Sequence, residues 1–228
     1  MQASVPGVYA CAVVPGTIIR QSWTLYATHW RHLIPIAVVV YGLVTVLAIL
    51  LSFLIGAFAA LVTLAGVFWL QGVLVKSVED LRDGHADLSL RQTVEAALPR
   101  INVLSASGFL AALAIGLGFF LLFIPGLVLL TIWSMIVPAI MLEGAGVFRA
   151  FGRSQELVRG NGWNVFAVIV ITFALLLAAS LVVSLALRPV DQNWISSLVV
   201  GIVANAVLAP FVAVAWTLTY YELRAARG

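Results

Sequence analysis

The residue types that could support catalysis are few in this chain, and their spacing does not gather them. His29, His32 and His85 are the only histidines. His29 and His32 stand about one helical turn apart, so both imidazoles share a helix face. Two ligands do not close a metal site. The plainer reading is a pair of interfacial polar residues beside Trp30 and Arg31. Asp83-Gly84-His85-Ala86-Asp87, with Glu79 and Asp80 upstream, offers the carboxylate oxygens that a hard divalent cation prefers. That spacing fits no ion-binding loop, and a solvated helix end is the expectation. No metal and no cofactor is assigned. No nucleophile stands in register with a base, which argues against an enzyme. Cys11 is the only cysteine, so an intrachain disulfide is excluded.

The stronger candidates concern membranes. Arg149, Arg153 and Arg159 alternate with Val147, Phe148, Phe151, Leu157 and Val158. Spacings of three and four put the charges on one helical face and the apolar residues on another. Beside an anionic leaflet each arginine would attract lipid headgroups by about 1 kcal/mol. The same residues also serve as plain topology signals, and both readings stand. Gln71 and Asn205 are the two amides well inside apolar runs. They either meet in a polar site along a substrate path or fix helix packing by hydrogen bonds. Gly108, Ala112 and Gly116 form a small-residue stripe that lets another helix approach closely.

Composition sets what must position these residues. The chain has 228 residues, 63% hydrophobic and 9% charged, with a mean hydropathy of +1.14. A soluble domain carries about 25% charged residues. A chain with so little charge cannot cover a water-facing surface, so an integral membrane protein is expected. The net charge of +3 does not suggest nucleic acid.

The expected fold is all-α and polytopic, a single membrane domain over 1–228. Residues 1–14 are a loose start without a signal peptide's basic and apolar regions. Thr17 caps an amphipathic interfacial helix, 18–32. Six transmembrane helices then span 33–221, as three hairpins: 33–54 with 57–78, 101–123 with 127–142, and 163–187 with 194–221. Pro125-Gly126 reads as a tight turn and Pro138 as a kink. Amphipathic segments 18–32, 89–100 and 147–159 each precede a hairpin. The second opens on a capping box at Ser89-Leu90-Arg91-Gln92. Gly144 and Gly160-Asn161-Gly162 read as helix stops. Lys76 can pair with Glu79 or Asp80. A basic tail, 222–228, closes the chain.

The basic residues fix the orientation. Eleven of the twelve Lys and Arg fall in the N-terminal segment, the 76–100 and 149–159 segments and the tail; only Arg188 lies on the other side. Positive-inside places both termini in the cytoplasm of a multi-pass protein of the inner (plasma) membrane.

Ile124-Pro125-Gly126, Trp133, Pro138, Glu143-Gly144, Arg153-Ser154, Leu157-Val158-Arg159-Gly160 and Trp163 form one dense stretch. It resembles the glycerophosphoryl diester phosphodiesterase membrane-domain family, bacterial proteins with six membrane helices. Ser22-Trp23, Leu25 and Trp30-Arg31 fit the same pattern. In some members this module precedes a soluble phosphodiesterase barrel. Here Gly228 follows the sixth helix, so the barrel's histidine and metal-carboxylate chemistry is not expected. The resemblance implies a membrane module alone.

The sequence thus points to a non-enzymatic inner-membrane module. It would engage anionic lipid through Arg149, Arg153 and Arg159, and a second copy or a membrane partner through the small-residue stripe. The alternative is a transporter or channel component for a lipid or a small apolar solute, which needs a cavity reaching Gln71 or Asn205.

Overall fold

The structure is a computed structural model and describes residues 14–52, 56–82, 90–187 and 194–227. Every described element is helical: α1 Pro15–Ser52, α2 Gly56–Arg82, α3 Leu90–Ala97, α4 Ile101–Leu121, α5 Phe123–Ile132, α6 Ile136–Glu143, α7 Val147–Val158, α8 Gly162–Leu187 and α9 Trp194–Ala225. A 3-10 turn at Leu98–Arg100, carrying Pro99, joins α3 to α4. The first hairpin tip (53–55), Asp83 to Ser89 and Arg188 to Asn193 lie outside the described residues, as does Cys11.

Four segments are long and apolar enough to cross a membrane: Arg91–Leu121, Phe123–Glu143, Gly162–Val182 and Ala206–Ala225. A bent pair, Pro15–Arg31 with Leu33–Leu47, adds a fifth. The bend is 78° and divides the expected interfacial helix from the first apolar helix. Two local causes coincide there. His29 leaves helical geometry, at φ −115° and ψ 17°. Pro35 lacks the N–H that would bond Arg31, and its ring crowds that carbonyl.

The sequence places the second hairpin's turn on Pro125-Gly126, but the chain turns earlier, on Leu122 alone. Leu122 is extended at φ −159° and ψ 138°, and its N–H still donates to the Gly118 carbonyl at 3.0 Å. Pro125 sits in the first turn of α5, where a missing N–H costs little. The kink expected at Pro138 also lies upstream. α5 and α6 are separated at Trp133–Met135, with φ/ψ of −102°/11° and −95°/11° at those two residues. Proline acts on the residue four before it, here Ser134, so the break precedes the ring.

The main core brings together α1, α2, α4, α6 and α9 through Ile36, Val40, Leu70, Val73, Leu104, Ile140 and Ala213. A second cluster joins Ile18 of α1, Met135, Leu157 and Val158 around α7, Val165 and Val168 of α8, and Tyr220 and Leu223 of α9. α9 also lies along α1, where Trp23 and Tyr26 pack edge-on to Phe211 and the Tyr26 hydroxyl donates to the Val207 carbonyl at 2.9 Å.

Candidate functional site

The site grows from the end of the α5–α6 segment. Gly144 ends α6 in the left-handed conformation, φ 67°, which glycine adopts without strain. Arg100 donates to its carbonyl at 3.1 Å, tying the start of α4 to the end of α6. Two residues intervene before α7 begins at Val147. Its buried face carries Ala150, Ser154, Leu157 and Val158, while Phe148, Arg149, Glu156 and Arg159 are exposed. Gly160, at φ 87°, stops it as the sequence indicates. Trp133 and Phe151 meet edge-to-face at 4.9 Å and hold α7 against α5.

Ser154 does more than pack. Its hydroxyl accepts the Met135 N–H at 3.1 Å and donates to the Ile132 carbonyl at 2.7 Å. Both backbone groups flank the α5–α6 break, so a side chain from α7 takes the place of part of the missing helical ladder.

Glu143, the last residue of α6, is the polar hub. Arg153 Nε shares its proton between both carboxylate oxygens, at 3.0 and 2.9 Å. The Tyr220 hydroxyl donates to Glu143 Oε1 at 2.6 Å. Arg153 also reaches Glu156 at 3.5 Å. The hydrogen bond to Glu143 raises the Arg153 pKa above its ordinary value despite partial burial.

This hub opens on a cavity of 690 Å³ lined by Leu142, Glu143, Arg149, Gly152, Arg153, Glu156 and Arg224. Three arginines face two glutamates there. Arg153 is committed to Glu143 and Glu156. Arg149 and Arg224, from different helices, have no ion-pair partner among the described residues. An anion with several acceptor oxygens would find two exposed guanidinium groups already placed around one volume.

Of the sequence candidates, Arg149 and Arg153 converge at this cavity. Arg159 does not line it; its carbonyl accepts a hydrogen bond from Arg227 in the tail. Arg224, Glu143 and Tyr220 complete the arrangement and were not singled out as site residues from sequence. Tyr220 and Glu143 are 77 residues apart, a pairing that local spacing cannot reveal.

The other candidates separate. Gln71 is half-buried on α2; the side chain of Asn205 lies outside the described residues. Gly108 packs inward, where a Cβ would meet the Phe68 ring at 2.5 Å. Ala112 is half-buried, and Gly116 faces open space. The stripe is therefore divided between an internal contact and an outward face. His29 Nδ1 lies 3.2 Å from the Leu25 carbonyl; the His32 side chain and the Asp83–Asp87 cluster lie outside the described residues. Glu79 is paired with Lys76 at 2.5 Å. Among the described residues no three of His, Cys, Asp and Glu come together.

Residues 89–223 match the family described as Domain of unknown function (DUF7847), more than half of the chain. The match takes in α7, Glu143 and Tyr220, and stops one residue before Arg224. No curated protein and no solved structure matches the chain.

Proposed function

This chain belongs to the DUF7847 family, and we propose that it is a non-enzymatic membrane module that holds an anionic lipid headgroup at the α6–α7–α9 junction. The carrying observation is the cavity lined by Arg149 and Arg224, neither in an ion pair among the described residues, beside the Arg153–Glu143–Tyr220 cluster, where the Arg224 charge also acts on Glu143. In this reading Arg149 and Arg224 contact the headgroup. Glu143 and Tyr220 hold Arg153 in position.

The proposed topology has six crossings, α2 supplying the one beyond the five apolar segments, with both termini in the cytoplasm of an inner-membrane protein. Basic groups gathered at one end support it. Arg153 and Arg224 share the cavity, Arg100 bonds Gly144, and Arg82 lies over the Tyr221 ring at 3.7 Å. Such an end suits an anionic leaflet. A kinship of residues 124–163 with the glycerophosphoryl diester phosphodiesterase membrane-domain family is part of the same proposal, that module being the membrane part and not the barrel. Self-association is proposed through Gly116, where nothing lies within 4 Å, with the half-buried Ala112 one turn away.

The test is native-lipid extraction followed by mass spectrometry of co-purifying lipids. Wild type should retain one anionic class above its bulk proportion, and Arg149→Gln with Arg224→Gln should lose it. A wild-type profile equal to the bulk membrane would overturn the reading.

A further inference from the structure

The turn between α4 and α5 has an unusual chemistry for a turn. From Gly108 through Leu130 there is no polar side chain, and the turn at Leu122 falls inside that run. Turns that reach water carry polar residues, and the sequence between α8 and α9, Arg188 to Asn193, is of that polar kind. Here Phe120, Leu121, Leu122, Phe123 and Ile124 are 66–88% exposed on the protein's own surface. Aromatic residues at a headgroup boundary are characteristically Trp and Tyr. This tip has only Phe, whereas Trp163, Tyr220 and Tyr221 lie at the arginine-bearing end.

The backbone suits an apolar setting as well. Leu122 keeps its hydrogen bond to Gly118 through the turn. Pro125 brings no N–H to the first turn of α5, removing one donor that would lack a partner. Gly118 and Gly126 bring the two helices into backbone contact, since a Cβ on Gly118 would lie 3.1 Å from Gly126 N. Length agrees too. The 21 residues of α4 extend about 31 Å, and at an ordinary tilt of about 20° they span no more than the roughly 30 Å of bilayer hydrocarbon, so the tip need not leave it.

We propose that the α4–α5 turn, Phe120–Ile124, is seated among the acyl chains of the leaflet opposite the arginines and does not emerge into water. Lipid chains are the occupant, because the exposed residues are uniformly aliphatic or Phe and offer a protein partner no polar rim. The hairpin is then closed to reagents on that side while remaining two helices deep.

The experiment uses the full chain in lipid nanodiscs with Cys11→Ser, and single cysteines as Leu122→Cys, Phe120→Cys and, in the polar sequence between α8 and α9, Gln192→Cys. A water-soluble maleimide should label the two tip positions about tenfold more slowly than Gln192→Cys, and all three equally after denaturation. An environment-sensitive fluorophore attached to the tip cysteines before reconstitution should be quenched by lipids carrying a nitroxide on the acyl chain. Maleimide labelling at the tip as fast as at Gln192→Cys would overturn the proposal. Slow labelling without acyl-chain quenching would also overturn it, because protein would then cover the tip. Two tip positions guard against one replacement perturbing the turn.

Discussion

The Ser154 hydroxyl accepts the main-chain N–H of Met135 at 3.1 Å and donates to the Ile132 carbonyl at 2.7 Å. A side chain from α7 thereby supplies hydrogen bonds missing at the break between α5 and α6. The arrangement makes α7 part of the α5–α6 span in an energetic sense. Ser154→Ala leaves the buried Met135 N–H and the half-buried Ile132 carbonyl without that partner, and should destabilise the fold by about 1–3 kcal/mol. Thermal unfolding in a mild detergent would read the loss. Hydrogen exchange at the Met135 amide should rise with it, and an unchanged amide would show that the hydroxyl is dispensable.

Glu143 and Tyr220 should act as a coupled pair. Tyr220→Phe removes the 2.6 Å hydrogen bond, and Glu143→Gln removes the charge that Arg153 faces. Because both changes fall on one network, their effects should not add. A double-mutant cycle on unfolding should give a coupling of about 0.5–3 kcal/mol. Strict additivity would mean that the hub does not act as a unit.

The arginines of α7 should divide by position. Arg149→Gln should weaken anionic-lipid retention about fivefold, corresponding to about 1 kcal/mol for one guanidinium. Arg159→Gln should leave retention at the wild-type level, because Arg159 does not line the cavity. Quantified lipid mass spectrometry on the two variants decides this. Equal losses would favour a diffuse basic surface over a site.

The small-residue stripe should also divide. Gly108→Ala places a methyl 2.5 Å from the Phe68 ring and should destabilise the monomer by about 1–3 kcal/mol. Gly116→Ala meets nothing within 4 Å and should leave monomer stability unchanged. Adding Phe68→Leu should relieve part of the Gly108→Ala penalty in detergent melts. If instead Ala112→Leu and Gly116→Ala leave association in lipid unaltered, the proposed contact between copies fails.

Much of the fold was legible because its signals are local. The amphipathic segments 18–32 and 147–159 appear in the structure as Pro15–Arg31 and Val147–Val158, since a three-four periodicity needs only neighbours to be read. Gly144 and Gly160 were recognisable as stops for the same reason. Prolines were misplaced by a few residues, because proline's steric effect falls upstream and Pro125 tolerates a helix's first turn. The candidate site was half legible. Arg149 and Arg153 share one helix, but Arg224 and Tyr220 arrive from α9, and only the packing of α9 against α6 and α7 assembles them. Spacing within one helix holds no information about that encounter.

Ile18, near the start of α1, is buried in the same cluster as Tyr220 and Leu223, near the end of α9. The first and last helices of the described chain therefore begin and finish at a common level. A path that leaves one face of a sheet and returns to the same face crosses it an even number of times. That shared level fits the six proposed crossings, an even number, and a reporter fused before α1 and another fused after α9 should then answer to the same compartment.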